Sequence, residues 1–178
     1  MKYFFILIFS VFCSVLNAQT KNLDLTNVLV VGQLDKADDR YSIEVALTEL
    51  LSNNGIKALP SMNILKVGND PQILASDSIK KLVKEKGFDT YVLVSVRGFD
   101  KKFKPAKNHG TLTEVLAEGH LFPIYRDEAV SVSFEFFFYR NGEFIGTDIV
   151  KCGNISSRDT VMKRFRKKLN KRISKHWK

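Results

Sequence analysis

Apolar and polar residues alternate from Ala129 to Cys152 on both sides of the dipeptide Asn141-Gly142, and this pattern predicts a β-hairpin. Val130, Val132, Phe134, Phe136 and Phe138 alternate with Ser131, Ser133 and Glu135, so the first strand turns its large side chains to one side. With Asn141 and Gly142 as the turn residues, Arg140 lies opposite Glu143. An unbroken ladder then sets Phe138, Phe136 and Phe134 against Ile145, Thr147 and Ile149, and it makes Phe134 and Phe136 core residues. The same register sets Glu135 opposite Asp148, a like-charge pair. Either a basic neighbour such as Lys151 or a C-terminal helix residue neutralises the two carboxylates, or they point to solvent, or they form a cation or acid/base site.

Upstream, Asn27 to Gly32 is a β-branched and leucine run that suits a buried strand. A helix follows, capped by Asp38 or Asp39, with Ile43, Ala46, Leu47, Leu50 and Leu51 as its apolar stripe and Asn54-Gly55 as its stop. Arg40 and Glu44, four residues apart on this helix, are expected to form a surface ion pair. Ile56 to Leu59 reads as a second strand, broken at Pro60. Ser61 to Ala75 has no period and reads as a loop. Ser76 or Asp77 caps a second helix, with Ile79, Leu82 and Val83 inward and Gly87 at its end. Tyr91 to Val96 is nearly unbroken by polar residues, the pattern of a strand covered on both faces and therefore the centre of the sheet. Gly98 to Glu128 is irregular, and Thr111 to Glu118 within it suits either a helical turn or a strand. Ser156 or Ser157 caps a last helix with the stripe Val161, Met162, Phe165, Leu169, Ile173 and Trp177.

Strand, helix, strand, helix, strand implies parallel neighbours joined by crossovers, to which the hairpin adds antiparallel strands. The expected fold is a single α/β domain with a five-stranded mixed sheet in the order 2-1-3-4-5, strand 4 antiparallel, and the terminal helix closing the core.

The first residues add a compartment. Lys2 precedes a run from Phe4 to Leu16 that is apolar except for Ser10 and Ser14, and Leu16-Asn17-Ala18 then leads to Gln19. This is the pattern of a signal peptide over residues 1–18, with the domain over 19–178. A retained membrane anchor is the weaker reading, because a spanning helix needs about 20 apolar residues. Phe12 stands where lipid attachment at Cys13 would need a small residue. The chain is thus expected to be exported, periplasmic or associated with the outer membrane. Cleavage leaves Cys152 as the one cysteine, so no intramolecular disulfide can form. It is read as a small apolar strand residue, with a reactive or intermolecular thiol as the alternative.

Charge changes the picture at the other end. The formal net charge is +9, and the stretch from Arg158 to Lys178 holds ten Lys or Arg against the single acid Asp159, so the rest of the chain sums to zero. Lys163, Arg164, Lys167, Lys168, Lys171, Arg172, Lys175 and Lys178 fall on the arc away from the apolar stripe, which makes a basic amphipathic helix. It is either a solvated surface or a face that meets an anionic partner, an envelope protein or an anionic lipid surface, peripherally rather than as an integral membrane segment. Nucleic acid is not expected, since no basic motif interleaved with aromatics appears.

Candidate chemistry is sparse. There is no Gly-rich phosphate loop and no nucleophile elbow, and His109 and His120 in the irregular segment lack a second ligand at metal-binding spacing, so neither cofactor nor metal is expected. In an open sheet of the expected order, ligands bind where the strand order reverses, at the carboxyl ends of strands 1 and 3. Gln33, Asp35, Arg40, Ser61, Arg97 and Asp100 form that candidate rim.

Several segments also carry a likeness: Val28-Leu29-Val30-Val31-Gly32, Arg40 with Glu44, Leu51 to Gly55 before Ser61, Gly87-Phe88-Asp89, and a hairpin running into a terminal helix. In these the chain resembles small secreted or lipid-anchored α/β proteins of Gram-negative envelopes. It is similar to the amino-terminal domain of the TolB translocation protein and to the periplasmic domain of the curli secretion protein. The resemblance implies an envelope assembly or binding module without catalysis. The alternative is a small-ligand-binding protein or hydrolase that uses the rim or the Glu135 and Asp148 pair.

Overall fold

The computed structural model describes residues 22–65, 71–105, 109–120 and 122–178. The expected signal peptide, Cys13 and the Gln19 junction lie outside the described residues. The elements run β1 (Asn27–Gln33), α1 (Ala37–Asn53), β2 (Lys57–Pro60), α2 (Asp77–Glu85), β3 (Thr90–Phe99), α3 (Leu112–Ala117), β4 (Ser131–Arg140), β5 (Glu143–Gly153) and α4 (Arg158–Arg172). A π-helical turn, Ile173–Trp177, continues α4, and 3-10 turns at Ser61–Asn63 and Pro71–Ala75 occupy parts of the stretch read as a loop.

The sheet order is β2-β1-β3-β4-β5, with β1 parallel to β2 and β3, and β4 antiparallel to both neighbours. Apolar residues of β3 and β4 point alternately to the two faces, so two cores form. Phe134, Phe136 and Phe138 meet the stripes of α1 and α4 on one face, and Tyr91, Leu93 and Tyr139 meet α2, α3 and the Pro71–Ala75 turn on the other. Phe165 and Trp177 from the terminal helix and its extension lie edge-on to Phe134, Phe136 and Phe138, with ring centroids 4.8 to 5.0 Å apart. Burying a large apolar side chain of this kind stabilises by roughly 1.5–3 kcal/mol.

The hairpin turn is as expected: Asn141 and Gly142 both have positive φ, and Arg140 pairs with Glu143. Beyond that pair the ladder departs from the expected register. Tyr139 pairs with Phe144 and Phe138 with Gly146, so Ile145 is an unpaired bulge residue. Every later β5 residue is displaced by one: Phe136 faces Asp148, Glu135 faces Ile149 and Phe134 faces Val150. The expected Glu135 and Asp148 pair therefore does not form, and the two carboxylates lie on opposite faces of the sheet. Each has a cation: Arg172 for Asp148 and Arg97 for Glu135. Val130, placed in the core by alternation, precedes β4 and is 65% exposed.

Three local readings also change. Lys36, not Asp38 or Asp39, is the N-cap of α1; its ammonium cannot accept a backbone N–H, and Asp39 is turned to Arg158 and the Ile124 N–H. Leu82 sits on the outer side of α2. Thr111 to Glu118 resolves as a helix because Thr111 and Glu114 form a reciprocal capping box; the Thr111 N–H holds the Glu114 carboxyl below the usual carboxylate range.

Candidate functional site

The carboxyl ends of β1 and β3 meet where the order reverses, and the six rim residues divide there into distinct roles. Glu44, fully buried, accepts hydrogen bonds from the Gly32 N–H (2.8 Å), Arg40 Nε (3.0 Å), the Ser61 hydroxyl (2.7 Å) and the Met62 N–H (3.2 Å). Arg40 also donates to the Ser61 hydroxyl at 2.9 Å. This corrects the expectation of a surface pair: the carboxylate is the hub that ties β1, α1 and the turn after β2 together. A side chain at position 32 would press on Arg40 Cγ and Glu44 Cγ, at 3.1 and 3.2 Å from its Cβ, so glycine permits the close approach. Ser61 is buried behind Arg40. Asp35 is exposed, and Asp100, at positive φ, accepts from the Val130 and Ser131 N–H groups and braces the start of β4.

Gln33 and Arg40 come together around open space, and Arg97 lines a neighbouring space. Gln33 and Arg40 line a cleft of about 310 Å³, and Arg97 lines a second of about 330 Å³ that shares Glu118, Gly119 and His120 with the first. Glu135 and His109 line the second as well. Gln33 is only 3% exposed; its amide N–H group donates to the Val115 carbonyl, whereas its Oε1 has no hydrogen-bond partner among the described residues. His120 Nε2 and His109 Nδ1 are also without one. Burial holds both imidazoles below the usual histidine pKa, so at neutral pH they are uncharged donor and acceptor groups. His109 stacks on Phe144 at 3.8 Å and 18°, which gives it an aromatic packing role as well. Glu118, His109, His120 and Glu135 were not on the expected rim. Among the described residues no group of three His, Cys, Asp or Glu is placed to hold a metal ion.

The second candidate surface is the outward arc of α4. Lys163, Lys167, Lys168, Lys171, Lys175 and Lys178 are exposed, while Val161, Phe165, Leu169, Ile173 and Trp177 are fully buried. Arg164 is half-buried. Arg172 leaves the arc: its Nε and Nη2 each bond Asp148 at 2.6 Å, and this carboxylate raises the Arg172 pKa further. Lys168 Nζ donates to the Lys151 carbonyl at 2.7 Å. Cys152 is free and buried, and desolvation pushes its thiol up to about 11 against the opposing effect of Lys168 and Arg164. No helix of the described residues is long and apolar enough to cross a membrane.

Among solved structures the chain is similar to a lipoprotein from Neisseria meningitidis, at 15% identity and a TM-score of 0.46, over 84% of this chain and 98% of that one. It is also similar to PelC from Paraburkholderia phytofirmans, solved as a dodecamer, at 12% identity and a TM-score of 0.43, over 86% of this chain and 89% of that one. A second PelC dodecamer from the same organism gives 12% identity and a TM-score of 0.44, over 87% of each chain. No protein-family model matches the chain, and no curated protein matches its sequence.

Proposed function

We propose that the chain is an exported, non-catalytic module of the cell envelope that docks peripherally on an anionic surface through the outward arc of α4. One observation carries this reading. The apolar stripe of α4 is fully occupied by the chain's own core, so what the helix offers outward is a row of six exposed lysines, the larger part of the ten basic residues in the stretch that carries the formal excess of charge. Each lysine held near an anionic membrane contributes about 1 kcal/mol, within a Debye length of about 8 Å at physiological ionic strength. The apolar run after Lys2 supports export, and the likeness of the β1, α1 and hairpin segments to TolB and curli secretion domains supports an envelope role.

The test is co-sedimentation with anionic and neutral vesicles at low and high salt, comparing the natural chain with a variant in which Lys163, Lys167, Lys171 and Lys175 are changed to Gln. Lys168 is left in place because it also bonds β5. Binding only to anionic vesicles, lost at high salt and in the variant, supports the reading. Binding by neither protein, or equally by both, overturns it, and capture of an acidic envelope protein by the natural chain alone would move the partner from lipid to protein.

A second reading, a small-ligand-binding protein that uses the switch-point cleft, is favoured by Gln33 Oε1, which has no hydrogen-bond partner among the described residues. Its test is the stability of Gln33→Met. Loss of the bond from the Gln33 amide N–H group to the Val115 carbonyl is expected to lower stability, whereas a protein stabilised by the change would show that a lone buried oxygen is held there at a cost to the fold, as a ligand site would require.

A further inference from the structure

On the sheet face opposite α4, at the amino-terminal end of β3, a pocket of about 320 Å³ opens between α2 and the β4–β5 turn. Val83, Phe88 and Leu112, all buried, supply apolar walls. Tyr91 lines it from β3; the residue is 4% exposed, and its hydroxyl has no hydrogen-bond partner among the described residues. Lys80, Lys81 and Lys84 stand at the rim. The one acid in the lining, Asp89, has its carboxylate engaged by the Thr90 hydroxyl at 2.6 Å.

A mostly apolar concavity of a few hundred cubic ångströms with a few polar groups is the form that small-molecule sites take. Buried hydroxyls are as a rule hydrogen-bonded, so Tyr91 points to an acceptor that the described residues do not supply. Burial pushes its phenol up to about 12, so it stays a protonated donor throughout the physiological range. The three ammonium groups outnumber the carboxylates beside them, Asp89 in the lining and Asp77 at 3.8 Å from Lys80, and this favours an anion. The apolar walls favour a singly charged anion with an apolar body over a doubly charged, strongly hydrated one.

We propose that this pocket binds a small amphipathic carboxylate, its apolar body against Val83, Phe88 and Leu112, one oxygen accepting from the Tyr91 hydroxyl, and its charge facing Lys80, Lys81 and Lys84. The site is separate from the α4 arc, so it stands or falls independently of the membrane reading.

The experiment is calorimetric titration of the full chain with 3-phenylpropionate and with its uncharged counterpart 3-phenylpropan-1-ol. Saturable binding of the carboxylate is expected, with at least about tenfold weaker binding in Tyr91→Phe, because a hydrogen bond to a charged acceptor of that strength is removed while the ring remains. The alcohol is expected to bind more weakly than the carboxylate. Changing Lys80, Lys81 and Lys84 together to Gln alters only the rim and is expected to weaken the carboxylate without affecting the alcohol. Should Tyr91→Phe fail to fold, the lysine variant decides alone. No saturable binding below about 10 mM, equal affinity for acid and alcohol, or unchanged affinity in these variants would overturn the proposal.

Discussion

Replacing Asp148 with alanine tests the bulge and the closure of the terminal helix together. Asp148 accepts from Arg172 Nε and Nη2, from the Trp177 indole N–H at 2.9 Å and from the Ile149 N–H at 2.8 Å, all with its own side chain nearly buried. Removing it orphans the fully buried indole donor, at a cost of about 1–3 kcal/mol. The Arg172 side chain is 39% exposed, so its guanidinium can turn to water, and the loss of its pairing is a screened effect of about 1 kcal/mol or less. The Ile149 N–H lies on the sheet's edge strand and can hydrate. The expected loss in urea melts is therefore about 2–3 kcal/mol, below the roughly 3–5 kcal/mol for breaking a fully buried pair. Asp148→Asn keeps an oxygen for Trp177 and loses only charge, so about 1 kcal/mol is expected. On an unbroken ladder Asp148 would face Glu135, and removing it would relieve repulsion. A stabilised or unchanged Asp148→Ala protein would therefore refute the bulged register.

Phe136→Ala is expected to cost roughly 3–5 kcal/mol in the same melts, because the ring is fully buried and contacts Phe165 and Trp177. A loss below about 1 kcal/mol would mean that β4 presents its other face to α4. Stability is expected to be flat between about pH 7 and pH 8 and to fall as pH rises through the folded pKa values. Cys152 is raised from 9.0 to about 11, and Tyr91 and Tyr139 from 10.0 to about 12, so the native state holds protons that the unfolded chain releases. A melt midpoint that rises between pH 9 and pH 11 would contradict this. Amino-terminal sequencing of the exported protein is expected to begin at Gln19, and a start at Met1 would remove the export reading.

Much of the fold was legible because periodic segments bury what their period says. The stripes of α1 and α4, the doubly covered β3 and the Asn141-Gly142 turn are each decided by a few neighbouring residues. The bulge was not, because Ile145 is an ordinary strand residue; its displacement shows only in the folded chain, where Leu23 packs so closely on Gly146 that a Cβ there would lie 2.8 Å from Leu23 Cδ2. Burial of the polar residues was also hidden. Ser131, Ser133 and Glu135 alternate like a solvent face, yet all are buried, with Asp100, Arg97 and the irregular segment around them. Arg40 and Glu44 were visible as an i,i+4 pair, but their place inside the fold depends on Gly32 and Ser61 arriving from the ends of the two strands that flank α1. Gln33, Arg40 and Arg97 line clefts for the same reason that the sheet order could be read: both follow from topology. His109 and His120 have no period to read, so only the fold could bring them there.

Trp177 offers the most direct test of the central claim, since it is the chain's one tryptophan and sits fully buried against Phe136 and Phe138. The measurement is its fluorescence during binding to anionic vesicles whose acyl chains carry a bromine quencher. If the stripe of α4 stays docked and only the lysine arc meets the lipid, binding leaves the emission maximum and intensity unchanged. Quenching on binding would show that the helix leaves the core and inserts its apolar face, which would contradict the peripheral, electrostatic mode proposed for this protein.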